Sequence, residues 1–188
     1  MAVLRKGFAA TSIEELIVAA GITKGGFFYH FKDKGELAKA LLLRYLDYDE
    51  RILNEIFAHA DDPHQDPLEC FLMSLQQFAA MLSNLPDTHP GCLAASYCYQ
   101  DQLFSQEIRD LNASGMIAWR RRFRGILARI ALSNPPRSEI DLDVVADMAT
   151  TLVEGGIILS KVMKDQTILP NQVLAYRDYI RLLFSPKV

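Results

Sequence analysis

The stretch from Thr11 to Lys34, TSIEELIVAAGITKGGFFYHFKDK, leaves this chain few ways to fold. Ile13, Leu16, Ile17 and Ala20 recur at helical spacing and predict one face of a short helix. Thr11, followed three residues later by Glu14, reads as a capping box at its start. Gly21 offers the positive-φ residue that ends a helix, and Thr23 offers a side-chain oxygen to cap the next one. That next helix is expected over about residues 24–31, and another opens near Lys34. Two short helices joined by so tight a turn form a helix–turn–helix.

The rest of the chain reads as helix after helix. A long one is expected from near Lys34 to about Ala60, roughly 40 Å at the usual rise, long enough to link two domains. Residues 61–67, with Pro63 and Pro67 in a polar run, form the clearest loop. Further helices are expected from Pro67 to Leu85, over residues 92–104, from Ser105 to about Leu132 and from about Leu142 to Lys164. The last would run from Pro170, at a first-turn position that suits proline, to Phe184. No alternating strand pattern and no tandem repeat interrupts them, so the expected class is all-α. Met1 to Lys6 reads as the last turns of an apolar helix ended by Gly7, that is, as a truncated first helix.

Half of the 188 residues are hydrophobic, enough for one or two sizeable cores. No apolar run approaches the ~18 residues of a membrane span and no leader pattern opens the chain, so a cytoplasmic location with no membrane partner is expected. Cys70, Cys92 and Cys98 are odd in number and lack CxxC spacing, which predicts reduced thiols rather than disulfides or a zinc knuckle. His59 and His64 have no third well-placed ligand, so no metal is expected, and no cofactor. No Ser–His–Asp order, metal cluster or phosphate loop offers catalytic residues, so the chain is not expected to be an enzyme. The net charge of −3 is unevenly spread. Residues 1–34 carry five basic against three acidic residues, a net of +2, which leaves −5 on the other 154. A basic head on an acidic body suits a protein that sets one end on DNA.

The chemistry of the opening motif points the same way. Lys24, in the first turn of the second short helix, can donate to guanine O6 or N7, or to a phosphate. Gly25 and Gly26 allow a close backbone approach, although the pair costs roughly 1–2 kcal/mol in helix propensity. Phe28 can touch a thymine methyl, while Tyr29 and His30 offer donors at phosphate distance. Lys34, Thr11, Ser12 and Thr23, at helix starts, complete the candidate DNA-binding set.

The order T-S-I-E-E-L, then G-I-T-K-G-G-F-F-Y-H-F-K-D-K, closely resembles the DNA-binding signature of the TetR family of bacterial regulators. That signature runs roughly T-S-x-x-x-I-A-x-x-A-G-V-S-x-G-x-x-Y-x-H-F-x-x-K. Gly21, Thr23, Gly25, Tyr29 or Phe28, His30, Phe31 and Lys34 occupy its positions. The chain departs from it where Phe28 stands for a tyrosine, where Gly26 stands for Thr or Ser, and in lacking most of the family's first helix. The resemblance implies a DNA-binding domain over residues 1–45 and a ligand-binding and dimerisation domain over residues 46–188. It also implies that the last two long helices pair with those of a second copy. Residues 90–104 resemble a C-terminal domain type of one subgroup of the family.

The body supports dimerisation independently. Residues 144–159, VVADMATTLVEGGIIL, are apolar nearly all round, as befits a helix buried on two sides. Met148, Leu152, Gly155, Gly156 and Leu159, with Tyr176 and Ile180 of the last helix, are the expected interface. For an effector pocket, Phe71, Leu75, Phe78, Tyr97, Phe104 and Trp119 offer aromatic and apolar surface. Arg122, at the edge of an apolar stripe, could meet an anionic ligand, while Arg120, Arg121 and Arg124 point to an outer, solvated face. The expectation is a homodimeric repressor that binds a double-stranded operator and is released from it by a small apolar or aromatic effector. The alternative is a dimeric helical small-molecule-binding protein with impaired DNA binding.

Overall fold

The structure is a computed structural model that describes residues 2–58 and 65–185. Its helices are α1 (Ala2–Lys6), α2 (Ile13–Ala20), α3 (Lys24–His30), α4 (Lys34–Ile56) and α5 (Pro67–Ser83). They continue with α6 (Leu93–Cys98), a 3₁₀ turn at Asp101–Leu103, α7 (Gln106–Ser133), α8 (Leu142–Met163) and α9 (Ile168–Phe184). Among the described residues there is no strand, and the all-α class holds. None of the described helices is long and apolar enough to cross a membrane. His59, His64 and most of the expected loop at 61–67 lie outside the described residues.

Local chemistry sets the helix boundaries. The Asp66 carboxylate accepts from the Leu68 and Glu69 amides at 2.7 and 3.3 Å, and Pro67 takes the first helical position, where no amide is needed. Asp141 caps α8 in the same way, accepting from the Asp143 amide at 2.8 Å. Lys164 closes α8 in the left-handed region with φ 55°. The last helix begins two residues earlier than expected. Asp165 accepts from both the amide and the hydroxyl of Thr167, at 2.8 and 2.7 Å, so the turn forms before Pro170, which becomes the third helical residue.

The helix expected over residues 92–104 breaks after Cys98. The Tyr97 and Phe104 rings stack with centroids 4.2 Å apart. In an unbroken helix seven residues would separate them by about 10 Å along the axis. Stacking therefore requires the chain to fold back, and the 3₁₀ turn does this.

The contacts divide the chain into two units, one of residues 1–49 and 90–116, the other of residues 50–89 and 117–188. Residues 90–116 thus group with the first unit, where a boundary at 45/46 would assign them to the body. The core of the first unit gathers Val3, Phe8, Ala38, Leu42, Leu93, Tyr97, Phe104 and Ile108. The Tyr97 hydroxyl donates to the Ala38 carbonyl at 3.0 Å. Gly115 of α7 passes so close to Leu46 of α4 that a Cβ there would stand 2.5 Å from its Cδ2.

In the second unit, α9 packs along both α5 and α8. Phe57, Phe71, Phe123 and Tyr176 form a connected aromatic cluster, with centroids 5.3–6.4 Å apart. The buried Tyr176 hydroxyl donates to the Val145 carbonyl at 2.9 Å, which satisfies the polar tip of an otherwise apolar side chain. Arg120 and Arg124, one turn apart on α7, pair with Asp147 and Asp143, one turn apart on α8, at 2.5 and 2.8 Å. The Arg120 hydrogen bond holds the Asp147 carboxyl below its usual range, and the two pairs keep both arginines on the outer face.

Candidate nucleic-acid interface

The head is built from caps. The capping box at α2 lies one residue later than Thr11 and Glu14 would place it. Ser12 accepts from the Glu15 amide at 3.1 Å and Glu15 accepts from the Ser12 amide at 3.2 Å. The adjacent Thr11 is fully buried instead, its hydroxyl donating to the Gly7 carbonyl at 2.8 Å. Glu15 also meets the Lys6 ammonium at 2.6 Å. The Lys6 hydrogen bond, then that from the Ser12 amide, lowers the pKa of the Glu15 carboxyl. Gly21 ends α2 with φ 65°, in the left-handed region that favours glycine. Two residues on, Thr23 is extended and accepts from the Gly26 amide at 3.0 Å, which opens α3.

This arrangement aims one face of α3 outward. Phe27 is buried, with its ring 5.6 Å from that of Phe31, and anchors the helix to the head. Lys24, Gly25, Phe28, Tyr29 and His30 are all exposed, Tyr29 at 85%. Of the two glycines, Gly25 has no packing reason among the described residues. A Cβ at Gly25 would meet only the Thr23 Oγ1 at 3.9 Å, whereas one at Gly26 would crowd that capping oxygen at 3.3 Å. A helix that accepts glycine's propensity cost where its own fold leaves space is suited to something else coming close.

The first-turn basic residue Lys24 lies 3.8 Å from Glu14 of α2, both side chains about 70% exposed. Such a pair is worth little in water and leaves the ammonium able to turn to a base edge or a phosphate. Lys34 is differently placed. Its Nζ donates to the Phe8 carbonyl at 2.6 Å and sits 4.5 Å over the Phe8 ring, so it holds the loop between α1 and α2. One further exposed residue was not singled out by the sequence, Val18 on α2, which is 82% exposed. Its only signal is an apolar residue out of phase with the half-buried face of Ile13, Leu16 and Ile17.

The body residues expected to meet an effector are divided. Leu75, Phe78 and Trp119 line an apolar recess in the second unit, together with Phe123, Ala149, Leu152, Val153, Val173 and Tyr176. Its free space is about 10 Å³, room for roughly one water. Phe71 lies fully buried, with ring centroids 6.1 and 6.4 Å from Phe123 and Tyr176. Tyr97 and Phe104 belong to the core of the first unit. Arg122 donates to Asn54, and its guanidinium is held by that contact.

The expected interface residues divide too. Tyr176 and Ile180 face inward, at 2% and 0% exposure, while their neighbours Tyr179 and Leu182 are exposed. On α8, Leu152 lines the recess and Met148 is half-buried. Gly156 packs against Leu169, Gly155 faces open space, and Leu159 is exposed beside Ile158 and Val162.

Residues 2–41 match the family described as bacterial regulatory proteins, tetR family. The HTH-type transcriptional repressor NemR of Escherichia coli (strain K12) is 28% identical over 130 residues, 68% of this chain and 59% of that protein. The uncharacterised HTH-type transcriptional regulator YxaF of Bacillus subtilis (strain 168) is 23% identical over 162 residues, 86% of this chain and 80% of that one. The crystal structure of reduced E. coli NemR superposes with a TM-score of 0.77, covering 100% of this chain and 93% of that one at 19% identity.

Proposed function

Since the chain belongs to the TetR family of bacterial regulators, and is a DNA-binding transcriptional regulator rather than an enzyme, we propose that it acts as a homodimeric repressor of a palindromic operator. The observation that carries this reading is α3 itself: an exposed Lys24, Tyr29 and His30 around Gly25, where a Cβ would meet only the Thr23 hydroxyl. Seated in a major groove, Lys24 would read a guanine edge or fix a phosphate, and Gly25 would let the backbone come near. Tyr29, His30 and Ser12 would supply donors to flanking phosphates. Residues 1–45 would serve as the reading head and residues 46–188 as the effector-binding and dimerising body.

Dimerisation is supported by Gly155 of α8. It is a glycine in mid-helix where a Cβ would meet no described residue within 4 Å beyond its own helix. A second copy packed there would account for it, with Leu159, Ile158 and Val162 of α8 and Leu182 of α9 exposed for burial. The recess beside Trp119 and Phe78 is predominantly apolar, which favours an apolar or aromatic effector. With room for about one water, it must open to admit such a molecule. Effector binding to the opened form would shift the population away from the DNA-competent one.

The test is fluorescence anisotropy with a duplex from the DNA upstream of its own gene and a shuffled duplex of equal composition. The wild type should prefer the upstream duplex, and Lys24→Ala and His30→Ala should each weaken that binding. Equal affinity for both duplexes, or for all three proteins, would sink the reading.

A further inference from the structure

We infer that Gln100, the residue that follows α6 and its cap, is a positioning residue for DNA reading: its side-chain amide clasps the loop that sets α2 and α3. The inference rests on the DNA-binding role proposed for α3. The Ala9 amide donates to Gln100 Oε1 at 3.1 Å, across 91 residues of sequence. On the other side of that loop, Gln100 Nε2 lies only 2.7 Å from where a Cβ on Gly7 would stand. The amide group thus fills the space that a side chain at position 7 would need. Gly7 itself has φ 83°, and that left-handed conformation reserves the position for glycine.

Gln100 is in turn held at both ends of its own peptide. Its amide donates to the Tyr97 carbonyl at 3.2 Å, and its carbonyl accepts from the Leu103 amide at 3.0 Å. The loop it grips is fixed from other directions as well. Phe8 packs against Tyr97 and Phe104, with centroids 5.7 and 5.1 Å away, and Lys34 donates to the Phe8 carbonyl. Thr11 closes the loop onto Gly7, and the next residue is Ser12, the cap of α2. The path from Gln100 to the start of the helix–turn–helix is therefore short and made of specific bonds.

Energetics argue for a geometric role. Ala9 is exposed, so water would satisfy its amide if Gln100 were absent, and the bond adds little to global stability. What it does fix is the direction in which the loop enters α2. Base readout depends on placing side chains within about half an ångström of productive geometry, which makes that direction worth fixing.

The experiment uses the full chain with Gln100→Leu, of similar volume and without an acceptor, and Gln100→Glu, which keeps an accepting oxygen. Anisotropy with the upstream and shuffled duplexes is measured across a range of salt. Gln100→Leu should weaken binding to the upstream duplex by up to about fivefold, the most that one exposed hydrogen bond can bias the loop towards its bound position, with the shuffled duplex and the salt slope unchanged. Gln100→Glu should bind the upstream duplex as the wild type does. The Ala9 amide should exchange with solvent more slowly in the wild type than in Gln100→Leu. Undiminished binding by Gln100→Leu, an equal loss in Gln100→Glu, or a loss shared by both duplexes would each overturn the inference. So would an Ala9 amide in the wild type that exchanges like a free loop amide, a measurement that holds even if Gln100→Leu does not fold. A wild type without preference for the upstream duplex would instead remove the operator reading, and the exchange of Ala9 would still decide the clasp.

Discussion

Gly156 of α8 lies against Leu169, so close that a Cβ there would stand 2.9 Å from the Leu169 Cδ1 and 3.1 Å from its Cα. A Cβ on the neighbouring Gly155 would meet nothing within 4 Å among the described residues. The same substitution should therefore act in opposite directions at the two positions. Gly156→Ala forces backbone apart at the α8–α9 crossing and should destabilise the fold by roughly 1–3 kcal/mol. Gly155→Ala adds helix propensity without a clash and should stabilise the isolated chain by about 1 kcal/mol. Urea unfolding at low protein concentration checks both.

If a second copy packs on α8 at Gly155, a bulky side chain there should separate the pair. Gly155→Leu is expected to halve the mass measured by light scattering while leaving the helical circular dichroism signal in place. Gly155 is half-buried and has open space before it, so the single chain can accommodate the leucine. An unchanged mass would count against dimerisation through this face.

Acid should weaken the second unit through His89. Burial, and after it the charge of Lys161, holds its imidazole below the ordinary histidine range. The unfolded chain then binds the proton more readily than the folded one. The contribution to stability is complete above the unfolded value of about 6.5 and is lost as the pH falls below it. The urea midpoint of the wild type should accordingly drop between neutral and mildly acidic pH. His89→Gln should show a shallower drop over the same interval.

These relationships differ in how far the sequence foretold them, and the difference follows the range of the forces involved. Gly21 and Thr23 were legible because a left-handed helix end and a hydroxyl cap are requirements within a few residues. The register of the cap before them was not. Thr11-Ser12 and Glu14-Glu15 offer two equivalent pairings, and the burial of Thr11 with its bond to Gly7 chooses between them. Tyr176 and Ile180 form an apolar stripe, and a stripe says that a face is buried without saying against what. Here it packs within its own chain, on α5 and α8. Tyr97 and Phe104 pack with Phe8, some ninety residues away, and Gln100 meets Ala9 over a comparable gap. Neither contact leaves a local pattern to read.

Two lysines of the head look alike in sequence, and their surroundings predict different behaviour on DNA. Lys24 is exposed and only loosely paired with Glu14, so it is free to neutralise a phosphate or donate to a base. Lys24→Ala should weaken operator binding and, where the contact is to a phosphate, reduce the slope of log affinity against log salt by about one. Lys34 is committed to the Phe8 and Ala9 carbonyls at 2.6 and 3.4 Å and to the face of the Phe8 ring. Lys34→Met should leave the salt slope unchanged, because no phosphate contact is lost. It should lower the thermal midpoint, because the loop between α1 and α2 loses its charge-assisted bonds. A salt titration of both variants beside a thermal melt separates the two roles, and a reduced slope in Lys34→Met would move that residue into the DNA interface.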